Sequence, residues 1–435
     1  VEKFKPRVIG ISNISEGHHY ALKIAETIRR LSPETIIVMG GAHEDGTNPV
    51  VYKRAAEQVK TKAKSKFAGV RPPTETYELS EEQVAKMEKV RTLAKDEERE
   101  LIDFVVSGDA PYLLMELMKT IADNPDASAE ELKKIIFERK GEFAKIEGSG
   151  DLFFYDREQQ KIQDIEISGT PLDRNNLPFM FRARLARENR YPVFNNKKTA
   201  QVMACVGCVE TCEFCFESAS PTLYGVPKLQ QRKPENVVKE LDLLKEQGYE
   251  AIFFDDSTFT QNPHITARLM DLMIERRNQT GGFEWGCQTT IRSVDPTLRP
   301  GLLKKMAEAG CTYIYFGVEQ AEPDIEHVQK ASKFPIHKKS WSETFENVCK
   351  AAQEAGIRVA CSLQFGLEEA PDQWQKTIDL IKKMYDGGFI AKNSVAININ
   401  TPYPETEEWI KLAKKEGELP DYREKLRRPP RFETA

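Results

Sequence analysis

The second half of the chain alternates short apolar runs with longer amphipathic stretches. Runs of β-branched and aromatic residues predict strands at 200–206, 251–255, 284–289, 313–318, 358–364 and 394–399. Apolar residues at helical spacing predict helices at 234–247, 264–278, 299–309, 342–355 and 371–386. Gly248, Gly310 and Gly356 stand where three of these helices are expected to end. This succession predicts an open or partial (βα)6 barrel, in which active sites lie at the carboxyl ends of the strands.

The first part of the chain shows a shorter version of the same alternation. Apolar runs predict strands at 7–12, 35–39 and 102–106, with helices at 21–31 and 112–121. The second strand leads into Gly40 and Gly41, and the third into Gly108. Open α/β sheets bind ligands beyond the carboxyl ends of their strands, so these glycines mark a candidate ligand site.

These patterns predict an α/β protein with two domains joined by a polar segment. We expect a Rossmann-like or flavodoxin-like domain over 1–125 and a barrel over 199–410. Residues 52–100 are rich in Lys and Glu and predict surface helices. Residues 126–198 are interpreted as a connecting segment with a hairpin around 152–167, and 411–435 as a linker or tail.

Composition limits the kinds of partner and the cellular compartment that are expected for this protein. The formal net charge is −5, which gives no support for nucleic-acid binding. No apolar run has the length of a membrane span, and no signal peptide is visible, so a cytoplasmic protein is expected. Eight cysteines in 435 residues do not form a disulfide framework. Four of them lie between Cys205 and Cys215, which points to a metal site in a reducing compartment.

The central motif is a C-x3-C-x2-C run formed by Cys208, Cys212 and Cys215. It follows a predicted strand, so it lies in a loop at that strand's carboxyl end. Three thiolates in such a loop can hold three irons of a [4Fe–4S] cluster and leave the fourth iron open for catalysis. Cys205 falls inside the predicted strand and is interpreted as a buried core thiol.

The spacing of these cysteines is less typical of two other kinds of metal site. A structural zinc site usually separates its two Cys pairs by a dozen or more residues, whereas Cys208 and Cys212 are separated by three. A ferredoxin-type electron-transfer site ends in Cys-Pro, and Cys215 is followed by Phe216.

The three-cysteine loop, with Phe214 before its last cysteine, resembles the motif of the radical S-adenosylmethionine (SAM) superfamily. Segments resembling the family's later strand motifs follow in the family's order at 253–259, 285–292, 316–320 and 401–404. The resemblance covers about residues 197–405. It implies that Cys208, Cys212 and Cys215 hold the cluster and that SAM chelates the open iron through its amino and carboxylate groups.

The same resemblance suggests which side chains contact SAM. Arg292 is expected to pair with the SAM carboxylate, since a guanidinium offers two parallel donors. Asp255 and Glu319 are expected to accept from the ammonium or the ribose hydroxyls, and Gln364 to bond the ribose. Asp256, in the same motif as Asp255, is also assigned to the cofactor site. The alternative for each is a solvated or salt-bridged residue at a strand end. No catalytic residue is assigned.

The N-terminal strands resemble the second part of a cobalamin-binding domain, which precedes the radical SAM domain in the B12-dependent subfamily. This resemblance implies that small residues at strand ends let a corrin ring approach and that hydroxyls bond its nucleotide tail. The histidine nearby is interpreted as a loop residue and not as a cobalt ligand, and the alternative for the whole domain is a Rossmann-like scaffold without cobalamin. The residues concerned are Gly10, Ser12, Ser15, Gly40, Gly41, His43 and Gly108. The family's first strands are missing from this sequence, and an insertion of about fifty residues separates the second and third strands.

Together the resemblances imply a cobalamin-dependent enzyme that cleaves SAM and methylates an unactivated carbon. Its substrate would be a small molecule or peptide, and its electron would come from an external flavodoxin-type or ferredoxin-type reductant. One alternative is a radical SAM cyclase or rearrangement enzyme without methyl transfer. Another is a non-catalytic iron–sulfur or zinc scaffold, which would need four protein ligands instead of three.

Overall fold

The computed structural model describes residues 4–12, 18–41, 91–170, 172–180, 190–217, 228–321, 340–366 and 371–400, together with residues 406 and 408. The described residues divide into two compact units: the first contains those up to Leu172 together with residues 406 and 408, and the second contains those from Asp173 to residue 400. Ser15, His43, most of the predicted 52–100 insertion, the 401–404 motif and the 411–435 tail lie outside the described residues. In the described part of the chain, no helix combines the length and apolar character that a membrane crossing requires.

The first unit is built on one mixed sheet. Its strands, in spatial order, are β1 (Val8–Ser12), β2 (Ile36–Gly40), β3 (Phe104–Asp109), β4 (Ser149–Asp156) and β5 (Lys161–Glu166). The first three are parallel, and β4 and β5 continue the sheet antiparallel. The hairpin predicted at 152–167 is therefore present. It does not merely connect two domains, because its first strand pairs with β3 along the edge of the sheet.

The helices of the first unit bury apolar faces on this sheet. They are α1 (His18–Leu31), α2 (Asp96–Leu101), α3 (Pro111–Asp123), α4 (Ala129–Glu138) and the single turn α5 (Lys140–Phe143). In α1 the buried positions Ala21, Ala25 and Ile28 recur at helical spacing. Ser128 starts α4 with a capping box, in which its side chain and that of Glu131 satisfy each other's backbone N–H groups.

The second unit is a curled parallel half-barrel, as the periodicity predicts. Its strands are β6 (Arg190–Tyr191), β7 (Lys197–Val202), β10 (Ala251–Phe254), β11 (Glu284–Thr289), β12 (Cys311–Glu319), β13 (Arg358–Phe365) and β14 (Ile390–Ile399); β8 (Cys205–Gly207) and β9 (Leu229–Gln231) form a separate antiparallel ribbon. All neighbours from β7 and β10 to β14 pair in parallel, and β6 is antiparallel to β7.

Helices cover the outer face of the half-barrel. They are α6 (Pro234–Glu246), α7 (Pro263–Thr280), the single turn α8 (Ile291–Val294), α9 (Leu302–Glu308), α10 (Trp341–Glu354) and α11 (Pro371–Asp386). The core between them contains Phe254, Phe259 and Trp285, whose ring centroids lie 4.5–5.5 Å apart. Burial of each such ring contributes roughly 1.5–3 kcal/mol.

One predicted strand boundary is corrected. The apolar run 200–206 predicts a single strand, but β7 ends at Val202 and Cys205 begins the β8–β9 ribbon. The chain changes partners here because Ala204 and Cys205 donate their backbone N–H groups to Asp256. The ribbon leads directly into the cysteine loop.

Candidate functional site

The cysteine loop starts where the β8–β9 ribbon ends. Cys208 and Cys212 are buried, Cys215 is half-buried, and none of the three forms a disulfide. Gly207 precedes them with a φ of +90°, and a Cβ there would lie 2.3 Å from the carbonyl oxygen of Lys228. The close approach of the ribbon strands therefore requires glycine immediately before the first cysteine of the motif.

The donor set fits an iron–sulfur cluster better than a single ion. Among the described residues, no three His, Cys, Asp or Glu side chains converge closely enough to hold one metal ion. The thiolates of a cubane site do not converge in that way, because each binds a different iron. Three thiols that form no disulfide, in one short and largely buried loop, are the ligands that such a cluster uses.

Cys205 has surroundings that differ from those of the motif cysteines. Its backbone N–H donates to Asp256 Oδ1 at 3.2 Å, and its thiol donates to the carbonyl oxygen of Thr258 with an Sγ–O distance of 3.9 Å. Burial, followed by the nearby Asp256 carboxyl, raises the pKa of the Cys205 thiol well above its usual range. These contacts favour a neutral core thiol at this position.

The segment that follows β10 forms hydrogen bonds with the backbone next to the cysteine loop. Asp256 is fully buried, and its Oδ1 accepts from the N–H groups of Ala204 at 2.7 Å and Cys205 at 3.2 Å. Its other oxygen, Oδ2, is buried without an N–H or O–H donor among the described residues. Burial raises the pKa of Asp256 to about 7, although the two backbone amides lower it.

Two further side chains of this segment reach the loop: Thr258 lies in the 253–259 motif but had no role assigned from the sequence, and Gln261 was not singled out. Gln261 accepts from the N–H of Val209 at 2.7 Å and donates to the carbonyl of Gly207 at 3.3 Å, so it binds the backbone on both sides of Cys208. The Thr258 hydroxyl lies 3.7 Å from the Cys208 Sγ. The available signal was their position just after β10, the strand that neighbours β7.

Arg292 lies on the short turn α8 at the carboxyl end of β11 and is half-buried. The hydroxyls of Thr260, Thr289 and Ser293 form hydrogen bonds with one another. These bonds join α8, the turn that carries Arg292, to the segment after β10. Arg299 donates to the carbonyl of Thr260 at 2.8 Å. Burial, followed by the charge of Arg292, lowers the pKa of Arg299, so two guanidinium groups lie near each other at this strand end. Such a pair favours an anionic group.

Glu319 and Gln364 occupy the ends of the next two strands. Glu319 is buried and adopts a φ of +61°, a left-handed conformation that costs a non-glycine residue about 1 kcal/mol or more. Such strain concentrates at functional sites. The Gln364 amide donates to the Asn400 side chain at 2.7 Å, so it is held in one orientation.

The predicted site residues of the second unit thus occupy successive strand ends. Asp255, Arg292, Glu319 and Gln364 follow or terminate β10, β11, β12 and β13. Asp255 is exposed, whereas Asp256 directs its carboxyl into the protein toward the backbone of residues 204–205. The two adjacent aspartates therefore have different surroundings, which the sequence motif alone did not separate.

The glycines of the first unit lie side by side at the sheet's carboxyl edge. The strand register places Ser12 beside Gly40, and Gly40 beside Val106. A Cβ at Gly40 would lie 2.9 Å from the Val106 carbonyl oxygen, so packing of β2 on β3 already explains this glycine. Gly41 and Gly108 adopt φ values of +116° and +86°. Ser12 is exposed at the end of β1, and in the described part of the chain no atom lies within 4 Å of a Cβ position at Gly10.

Comparison with protein families gives one match in the second unit. The model of the radical SAM superfamily matches residues 202–381. This range begins at the end of β7, includes the cysteine loop and ends within α11.

Comparison with individual proteins gives matches along nearly the whole chain. A protein of Pyrococcus horikoshii described as an uncharacterized methyltransferase is 23% identical over 417 residues, which cover 94% of this chain and 70% of that protein. The structure of the radical SAM methyltransferase TsrM from Kitasatospora setae, with cobalamin and a [4Fe–4S] cluster bound, matches with a TM-score of 0.58 and 15% identity, over 95% of this chain and 68% of TsrM. A second TsrM structure, with tryptophan substrate and the SAM analogue aza-SAM, matches with a TM-score of 0.58 and 16% identity, over 94% and 65%. At these identities the likeness shows a shared fold.

Proposed function

We propose, from the premise that this chain contains a radical SAM domain, that the protein reductively cleaves SAM at a [4Fe–4S] cluster and transfers a methyl group to a carbon of its substrate. The observation that carries the first half is the set of three closely spaced, largely buried cysteines, Cys208, Cys212 and Cys215, which form no disulfide and lie within the matched range. When bound, the cluster supplies the electron that breaks a carbon–sulfur bond of SAM.

The chain's own residues bind and orient SAM at successive strand ends. Arg292, with Arg299 beside it, offers positive charge to the SAM carboxylate. Glu319 and the exposed Asp255 offer carboxylates to the ammonium and the ribose hydroxyls, and Gln364 is held in place to bond the ribose. The buried hydroxyl network of Thr260, Thr289 and Ser293 joins the turn that carries Arg292 to the segment after β10.

Methyl transfer is supported by the relatives and by the first unit. The Pyrococcus protein and TsrM both carry the description methyltransferase, and the TsrM structure contains cobalamin. In this chain the sheet edge formed by Ser12, Gly41 and Gly108 would hold cobalamin, which supplies a cobalt that carries methyl groups. The exposed Ser12 fits a large planar ligand, as does Gly10, where a Cβ would meet no atom of the described residues.

The proposed partners follow from this chemistry. The substrate is a small molecule or peptide, and an external flavodoxin-type or ferredoxin-type protein delivers the electron. The net charge of −5 gives nucleic acid no electrostatic attraction to the protein.

The test is anaerobic reconstitution of the full-length protein with iron, sulfide, hydroxocobalamin and SAM. We expect iron and sulfide in cluster stoichiometry, corrin absorbance, and SAM-derived products by mass analysis. Replacing Cys208, Cys212 or Cys215 by Ala should abolish cluster assembly and SAM cleavage, while Cys205→Ala, the matched control, keeps both. A cluster that survives Cys208→Ala and disappears in Cys205→Ala overturns the ligand assignment.

The same reconstitution separates the alternatives. SAM cleavage without corrin absorbance would leave a radical SAM enzyme without methyl transfer. Binding of zinc and no iron, with no SAM cleavage, would mean a structural scaffold.

A further inference from the structure

The structure assigns a second role to the segment after β10: we propose that the Thr258 hydroxyl donates a hydrogen bond to the Cys208 thiolate and thereby raises the reduction potential of the cluster. The inference rests on the proposed function, since it needs a cluster at Cys208. Thr258 would act through the sulfur of Cys208 and not through contact with SAM.

The geometry places this hydroxyl at the sulfur with little freedom. Thr258 and Cys208 are both buried, and their Oγ1 and Sγ atoms lie 3.7 Å apart. Thr258 is held on two sides, since its carbonyl accepts from the Cys205 thiol and its hydroxyl lies 2.8 Å from the carbonyl of Ser257. Gln261 binds the backbone on both sides of Cys208, so the backbone of this cysteine is held beside the segment that carries the hydroxyl.

The direction of the hydrogen bond between Thr258 and Cys208 changes when iron binds. In the free thiol form, Cys208 carries a hydrogen that it donates to Thr258 Oγ1 while the hydroxyl donates to the Ser257 carbonyl. As an iron ligand, Cys208 has lost that proton and its sulfur is an acceptor only. Rotation of the hydroxyl about the Cβ–Oγ1 bond then directs its one hydrogen to the sulfur. A bond from a neutral donor to an anionic sulfur is stronger than one between neutral groups, which favours this rotation.

A donor to a ligating sulfur affects the two redox states unequally. The reduced cluster carries one more negative charge than the oxidised cluster, so the hydrogen bond stabilises the reduced state more. The buried site strengthens this difference, because few other dipoles screen the charge. The hydroxyl therefore makes the cluster easier to reduce.

The test is a redox titration of the reconstituted full-length protein without SAM, followed by electron paramagnetic resonance of the reduced cluster. Thr258→Val keeps the shape of the side chain and removes the donor, so its midpoint potential should be more negative than that of the wild type. Thr258→Ser restores the hydroxyl and should restore the wild-type potential. Thr266→Val is the matched control, because Thr266 is a buried threonine of the same unit whose hydroxyl has no hydrogen-bond partner among the described residues. The potential of this variant should equal that of the wild type.

The outcomes distinguish this inference from the proposed function. Reduced iron content in Thr258→Val does not prevent the measurement, since the resonance signal reports on cluster-bearing molecules. An unshifted potential in Thr258→Val, or the same shift in Thr258→Ser, overturns the tuning role and leaves the cluster in place. Wild-type protein that binds no iron after reconstitution overturns the proposed function and this inference together.

Discussion

At the scale of single residues, neighbouring side chains of the same type differ by what surrounds them. Cys205 is bonded through both its amide and its thiol to residues 256–258, whereas the motif cysteines lie in the loop beyond the ribbon. Asp255 is exposed, and Asp256 is buried and bonded to backbone amides. These differences decide which of the polar residues near the loop are free to contact a ligand.

Arg292→Ala should weaken SAM binding with little effect on folding. Loss of a charge-assisted bond to the SAM carboxylate costs roughly 1.5–3 kcal/mol, which is about a tenfold to hundredfold increase in Kd. Isothermal titration with SAM measures the change. Arg276→Ala is the control, because Arg276 forms a partly exposed pair with Asp242 on the helical surface. Equal SAM affinity in the wild type and Arg292→Ala would remove Arg292 from the site.

Asp256→Asn should alter how stability depends on pH. The pKa of Asp256 is raised to about 7 in the folded chain, whereas an unfolded aspartate titrates near 3.9. Between these values the folded state keeps a proton that the unfolded state has released. The group therefore destabilises the wild type as pH rises, by up to about 1.4 kcal/mol per pH unit, and it stops doing so above the folded pKa. Asn keeps an oxygen for the two amides and does not ionise.

Urea unfolding of the cluster-free protein at pH 5 and pH 7.5 tests this linkage. The free energy of unfolding of Asp256→Asn, relative to that of the wild type, should increase from the lower to the higher pH. A difference that is the same at both pH values would mean that Asp256 ionises normally.

At the scale of elements, the half-barrel depends on close packing at the end opposite the cysteine loop. The turn after β6 places Phe194 against β11 and β12, and its ring faces Tyr313 edge-on with centroids 6.4 Å apart. A Cβ at Gly286 would lie 2.9 Å from the Tyr313 carbonyl and 3.1 Å from the Phe194 ring. Lys197 and Thr312 bond Glu284 nearby, at 2.7 and 2.9 Å. This end is thus closed by direct side-chain contact.

Gly286→Ala should destabilise the second unit, because the added methyl forces β11, β12 and Phe194 apart. Overpacking of this kind costs roughly 1–3 kcal/mol. The midpoint of urea unfolding, followed by tryptophan fluorescence, reports on it, since Trp285 is fully buried next to this position. Gly10→Ala provides the comparison, because a Cβ there meets no atom. Equal midpoints for the two variants would contradict the packing argument.

At the scale of the whole molecule, the first unit is proposed to bind cobalamin and the second to cleave SAM. Gly41→Leu fills the space proposed for the corrin ring. It also places a side chain at a φ of +116°, a backbone conformation that residues other than glycine rarely adopt. Ser12→Leu is the cleaner variant, since Ser12 is exposed in an ordinary strand.

Ser12→Leu and Gly41→Leu should both lose corrin absorbance after reconstitution, while iron content and SAM cleavage remain. Methyl transfer should stop because its carrier is absent. Thr27→Leu adds the same bulk on an exposed part of α1 and should keep cobalamin. Undiminished corrin binding in both strand-end variants would move the proposed site away from this edge.

The spacing of apolar residues was sufficient to predict most strands and helices, because each of them is specified by residues within its own segment. The strands of the half-barrel and the helices between them lie where apolar spacing predicts them, since burial of one helical face or of a central strand imposes that spacing. The cysteine motif is equally local, because its ligands lie within one short loop.

The tertiary structure decided what depends on contacts between distant residues. Asp256 and Gln261 bond residues about fifty positions earlier, and β4 pairs with β3 across the helices between them. Such pairings leave no periodic trace in the sequence, because they depend on which strand ends the fold brings together. For the same reason the break between Val202 and Cys205, the burial of Asp256 beside an exposed Asp255, and the hydroxyl at the Cys208 sulfur became visible only when the strand ends were assembled.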